Sequence, residues 1–312
     1  VSKEELAGIL YESVNNRIKP LPDDILVYPG HGAGSACGKN MMKETVDTLK
    51  NQKKINYALN GSFSKEGFVK ELTDNLPEPP TYFPSNVKLN QEGYLDFDKV
   101  LERGLIPLEL EKFISLSSQE NTIILDVRNQ NIFKNGFVPG SIFIGLNGGF
   151  APWVGAVLKD INIKILLVCE ESQAKEAIMR LSRVGFDNCL GYLKGGFKTW
   201  QNSSNPIDTI DSKSAKEFEK SINYNINILD VRQVGERNNG YLKNSEHIPL
   251  ALIDSDNKSL NKSLKYHIHC AGGYRSMIAC SILKKNGFDN TIDIEGGFGS
   301  ISNNTSLEIL QN

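Results

Sequence analysis

Two stretches of the chain, about 101 to 104 residues apart, show the same alternation of apolar runs and helical stripes. In the later one, residues 225–231 and 264–270 are apolar, β-prone runs, and residues 290–294 form a shorter one. Met277, Ile278, Cys280, Ile282 and Leu283 recur at helical spacing over residues 276–285, and Asn286-Gly287 is a C-terminal helix signal. Ile124-Leu-Asp-Val-Arg128 returns as Ile228-Leu-Asp-Val-Arg232, Gly185-Phe-Asp-Asn188 as Gly287-Phe-Asp-Asn290, and Gly195-Gly-Phe197 as Gly296-Gly-Phe298. A period of that length is a domain, and strand–helix alternation within it predicts a parallel sheet covered by helices on both faces.

The first 95 residues follow another pattern. Ser2 to Glu5 reads as a capping box, and Leu6, Ile9, Leu10 and Val14 share one helical face. Residues 25–28 read as a short buried strand running into a glycine-rich stretch, with helical segments expected around 43–50 and 64–73. Residues 77–84, with Pro77, Pro79, Pro80 and Pro84, read as a proline-stiffened linker. This is too little for an independent parallel core, and the segment is expected to close a larger domain. The expected organisation is 1–95 as that part plus linker, 96–205 as the first repeat copy and 206–312 as the second.

Composition removes whole classes of function. The 312 residues hold 35 Lys+Arg against 37 Asp+Glu, a formal charge of −2, so no basic excess exists for a nucleic-acid partner. Hydrophobic residues make up 39% and charged residues 23%, as in an ordinary globular chain. Apolar runs fall short of a membrane span, the N-terminus lacks a signal-peptide pattern, and five cysteines without a framework fit a reducing cytoplasm. Homo-oligomerisation is left open.

Chemistry concentrates in Cys270-Ala271-Gly272-Gly273-Tyr274-Arg275-Ser276, where the second copy passes from strand to helix. A helix N-terminus offers free N–H groups and a positive dipole end, which favour a thiolate and hold an anion. Gly272 and Gly273 let the backbone turn its N–H groups around the sulfur, and Arg275 adds a cationic fork for an anionic substrate. Four residues separate Cys270 from Arg275 where a cysteine phosphatase has five, so the ring suits a terminal sulfur atom better than a phosphate.

At this point the chain resembles the rhodanese family of sulfurtransferases. The six-residue loop, Asp230-Val-Arg232, Glu236, His247-Ile-Pro-Leu250 and Gly296-Gly-Phe298 stand in family order, although the family's usual Gly-His-Ile-x-Gly-Ala run is here Gly240-Tyr-Leu-Lys-Asn-Ser245. The resemblance implies a persulfide carried on Cys270 between a small-molecule persulfide or thiosulfate donor and a thiol acceptor, without a cofactor. It leaves open a carrier, sensor or scaffold role without turnover. His267 and His269 share one face of the preceding strand and read as core or surface residues more readily than as substrate ligands.

Cys169 holds the matching position in the first copy, but Glu170-Glu171 follow it, without glycine or arginine. Adjacent carboxylates raise a thiol pKa, so the first copy is expected to be an inactive scaffold. The run from Gly145 to Trp153 is glycine-rich but lacks the spacing and the following helix of a phosphate loop; Trp153 and Trp200 are assigned to interdomain packing. Cys37, Cys189 and Cys280 are read as structural.

Tyr28-Pro-Gly-His-Gly-Ala-Gly-Ser-Ala-Cys-Gly-Lys39 resembles the last element of a metallo-β-lactamase-fold domain. The whole chain resembles the C-terminal portion of bacterial fusions of such a persulfide dioxygenase with two rhodanese domains. That implies an α/β chain: two tandem rhodanese-like domains, each a parallel sheet flanked by helices, after the end of an αββα lactamase-fold domain. It also implies a parent reaction of persulfide with O2 giving sulfite. His31 matches the late active-site histidine, which in an intact parent lies at or beside a non-haem iron or zinc. One histidine alone cannot make such a site.

Overall fold

The computed structural model describes residues 2–30, 44–74, 82–222 and 226–311. The chain divides into two compact units, Val1–Pro79 and Pro80–Asn312.

In the first unit the helix Lys3–Ser13 begins with the expected capping box, Ser2 and Glu5 each bonding the other's backbone N–H. The helix packs on Lys65–Thr73 through Ala7 and through Tyr11, whose ring lies 5.5 Å from that of Phe68. The apolar stripe Leu6, Ile9 and Leu10 lies on the helix as expected but is exposed in this structure. The strand is Leu26–Val27, paired antiparallel with Asp47–Thr48, and it is not buried, since Leu26 is 55% exposed. That pairing displaces the expected 43–50 helix to Leu49–Ile55, capped by the Thr48 hydroxyl.

Pro80–Asn312 holds two five-stranded parallel sheets of identical order. The first runs Pro107–Leu108, Cys189–Leu193, Lys164–Val168, Thr122–Asp126 and Ile142–Phe143. The second runs Asp211–Lys213, Thr291–Ile294, Tyr266–His269, Asn227–Asp230 and Ser245–His247. Parallel neighbours need crossover helices, which cover both faces and explain why the central strands are continuous apolar runs. Ahead of the first sheet, Phe83–Glu92 is a helix with Pro84 in its first turn, so that proline starts a helix where a linker was expected.

Each copy has its own small apolar cluster, but one core runs through both, joining Phe143, Ile144 and Val154 to Met277, Ile278 and Leu283. Each such side chain contributes about 1.5–3 kcal/mol when fully buried. The Ser281 hydroxyl also accepts from the Phe143 N–H at 3.0 Å. Among the described residues no helix is long and apolar enough to cross a membrane.

Candidate active site around Cys270

The central strand Tyr266–His269 ends at Cys270, and the helix Tyr274–Lys285 starts four residues later. Gly273, at φ +97°, makes the turn between them, a conformation that any side chain would strain. The turn aims the Gly273 N–H at Cys270 Sγ, 3.1 Å away. Ser276 Oγ lies 3.6 Å from the same sulfur and donates to the Gly273 carbonyl at 3.1 Å. From outside, Phe298 N–H donates to the Cys270 carbonyl at 2.6 Å and Gly299 N–H to the Ala271 carbonyl at 3.0 Å. A methyl group on Gly297 would overlap the Cys270 carbonyl, which explains the glycine pair in that turn.

Arg275 and Glu236 form a two-pronged ion pair, both contacts 2.6 Å. Hydrogen bonding from Arg275 holds the Glu236 carboxyl below the ordinary glutamate range. The fork expected to be open for substrate is thus already engaged. Deeper, Asp230 binds Arg232 through both oxygens, and Arg232 donates to the Gly240 carbonyl at 2.9 Å and lies 3.8 Å from the Phe298 ring. The departing run at 240–245 is held in another way: Arg237 donates to Ser245 Oγ at 2.9 Å and covers the Tyr241 ring at 4.2 Å.

Cys270 is 1% exposed and opens into a cavity of about 490 Å3. The first copy supplies much of its wall, including Asn147 and Trp153. The Tyr274 hydroxyl donates to the Gly145 carbonyl at 2.6 Å, its ring meets Phe143 edge-on at 5.8 Å, and Trp153 lies 5.7 Å from the Arg275 guanidinium. A helix, Phe150–Val157, follows the glycine-rich run directly, contrary to the sequence reading. Trp153 packs between the copies as expected. Trp200 does not: it lies in the first copy's own cluster and donates to the Pro206 carbonyl. The wall residues were missed because amides and glycines carry no chemical signature; the glycine density at 145–149 was the available signal.

Cys169 is fully buried, and its thiol is pushed up to about 12, first by burial and only lastly by Glu170 and Glu171. A helix starts at Glu171, so no loop turns N–H groups toward that sulfur. His267 and His269 lie in the second copy's core, against Phe218 and Phe298, and burial holds both down to about 4. Cys189 and Cys280 are buried, their thiols raised by burial. His31 and Cys37 lie outside the described residues. Among the described residues no group of three or more His, Cys, Asp or Glu could hold a metal ion.

The family model described as "Rhodanese-like domain" matches residues 109–203 and 214–304. The chain belongs to the rhodanese family. The chain is similar to several known proteins. YrkF of Bacillus subtilis, for which a sulfur-carrier role is proposed, is 31% identical over 33% of this chain and 55% of its own length. The thiosulfate sulfurtransferase GlpE of Shewanella oneidensis is 26% identical over 31% of this chain and 93% of its own. A crystal structure of a metallo-beta-lactamase from Staphylococcus aureus is 28% identical, with a TM-score of 0.49, covering 60% of this chain and 50% of that one. The chain therefore spans about half the length of YrkF and of that lactamase.

Proposed function

We propose that this rhodanese is a sulfurtransferase that carries sulfane sulfur on Cys270. The observation that carries the reading is the Gly273 N–H aimed at Cys270 Sγ where the thiol opens into a cavity. With thiosulfate, the Cys270 thiolate attacks the outer sulfur, the S–S bond breaks and sulfite leaves with its electron pair. With an organic persulfide, the same attack releases the organic thiolate, which takes up the proton. An acceptor nucleophile such as cyanide or a thiol then attacks the outer sulfur of the Cys270 persulfide and restores the thiolate. No net oxidation occurs in either half. Arg275, anchored by Glu236, shapes the loop mouth, and Ala271 to Ser276 hold the sulfur. The four described cysteines are all free, which suits a reducing cytoplasmic setting.

Intact-mass measurement after incubation with thiosulfate or glutathione persulfide tests this. One added sulfur, absent in Cys270→Ser and released as thiocyanate by cyanide, is the expected result. Loading without discharge would favour a carrier or sensor. No added sulfur on any cysteine would leave the rhodanese pair as a scaffold.

For residues 1–95 the Tyr28–Lys39 run supports a second reading, the closing part of a lactamase-fold persulfide dioxygenase plus linker. The parent reaction balances as persulfide, O2 and water giving thiol, sulfite and two protons. Iron content and O2 uptake of the full natural product, with His31→Ala alongside, test it; an iron-free product without O2 uptake overturns it.

A further inference from the structure

The first rhodanese copy has a fully buried cysteine whose thiol burial pushes up, yet its strand-end residues line the cavity at the other copy's Cys270 loop. We propose that this copy is the recognition wall of the Cys270 site, with Trp153 and the amides of Gln130, Asn131 and Asn147 selecting an organic persulfide of peptide type over thiosulfate. The inference rests on the sulfurtransferase reading and adds the substrate class and the residues that set it.

Three observations converge. Charge comes first: among the described residues lining the cavity, Arg275 is the one charged side chain, and Glu236 already neutralises it. A small dianion gives up its hydration for loop N–H groups and a spent cation, a poor exchange. Size comes second. About 490 Å3 lies within the range of cavities that hold ligands far larger than a five-atom inorganic ion. Lining chemistry comes third. Side-chain amides donate and accept at once, which matches the amide groups of a peptide-like thiol. The half-buried Trp153 ring gives its carbon chain a flat apolar face beside the guanidinium.

The wall is also fixed rather than merely near. Tyr274 crosses from the reactive loop to the Gly145 carbonyl, and any side chain at Gly148 would overlap the Tyr274 ring. Donor recognition and sulfur chemistry therefore sit on different copies, joined at the site by the Tyr274 hydroxyl.

The test is the initial rate of Cys270 persulfide formation, by quenched intact mass, with glutathione persulfide and separately with thiosulfate. Trp153→Ala is expected to raise the KM for glutathione persulfide about tenfold, within the range for one lost pocket contact, while thiosulfate rates stay within about twofold. Asn147→Ala, at an exposed position that tolerates truncation, shifts the ratio in the same direction by a smaller factor. S-methylglutathione, which cannot donate sulfur, should compete with glutathione persulfide in the parent and lose potency in Trp153→Ala. Equal losses with both donors, or an unchanged donor ratio in both variants, overturn this inference alone. Loading by neither donor in the parent overturns the sulfurtransferase reading and this inference with it.

Discussion

The two rhodanese copies share a scaffold and differ at one strand end. In the first, Arg128 grips Asp126, donates to the Gly136 carbonyl at 2.9 Å and lies 4.2 Å from Phe197. In the second, Arg232, Asp230, Gly240 and Phe298 repeat every contact. A glycine closes against the cysteine carbonyl in both, Gly196 on Cys169 and Gly297 on Cys270. After the cysteine they part. The first copy enters its helix at once through a Glu170–Gln173 capping box, in which the Gln173 side chain accepts from the Glu170 N–H at 3.4 Å. The second inserts a glycine turn that leaves an N–H for the sulfur. The surroundings of the thiol thus depend on where a helix starts and what caps it, with the same residue at the same strand end.

The largest test of that contrast is thiol labelling. With iodoacetamide at pH 8, Cys270 should label in the folded protein and Cys169, held at about 12, should not until the chain unfolds. Equal labelling of the two would break the comparison. Next comes the shared scaffold. Asp126→Asn and Asp230→Asn each strand a buried guanidinium and should cost about 3–5 kcal/mol in urea denaturation. A loss confined to one variant would show that the copies are not energetically alike.

Acid should separate the copies more gently. His267 and His269, at about 4 when folded, occupy positions filled by Leu166 and Val168 in the first copy. Their folded values lie below the unfolded one near 6.5, so stability is present above pH 6.5 and is lost as pH falls toward 4. Asp293, raised by burial to about 7, acts in the opposite sense: its contribution is full below the unfolded 3.8 and is lost as pH rises through 7. Asp293→Asn should therefore raise Tm more at pH 8 than at pH 5. Hydrogen exchange at pH 5 should open the second sheet before the first. Smallest of all, breaking the exposed pairs Lys194–Glu109 and Lys243–Glu308 should leave each copy's urea midpoint nearly unchanged.

The sheets and the Cys270 loop were legible because their signals are local. Apolar runs mark buried parallel strands, and a cysteine between a strand and a glycine-led helix marks its own turn. The packed face of the N-terminal helix was not legible because Ala7 and Tyr11, which meet Phe68, carry a weaker apolar signal than Leu6, Ile9 and Leu10 on the exposed side. The Arg275–Glu236 pair joins residues far apart in sequence, so the guanidinium read as open until its partner was placed. The cavity wall was hidden for the same reason: Asn147 and Trp153 gain meaning only once Tyr274 reaches Gly145.

That hydroxyl bond bears on how such a chain can change over generations. A second copy of a domain is ordinarily free to drift or be deleted. Here a carbonyl in the first copy positions Tyr274 of the second, and Ser281 of the second is tied to the first copy's backbone at Phe143. A change at Gly145 or Phe143 is thus felt at Tyr274 and Ser281, so the two copies constrain each other's sequence across the repeat boundary.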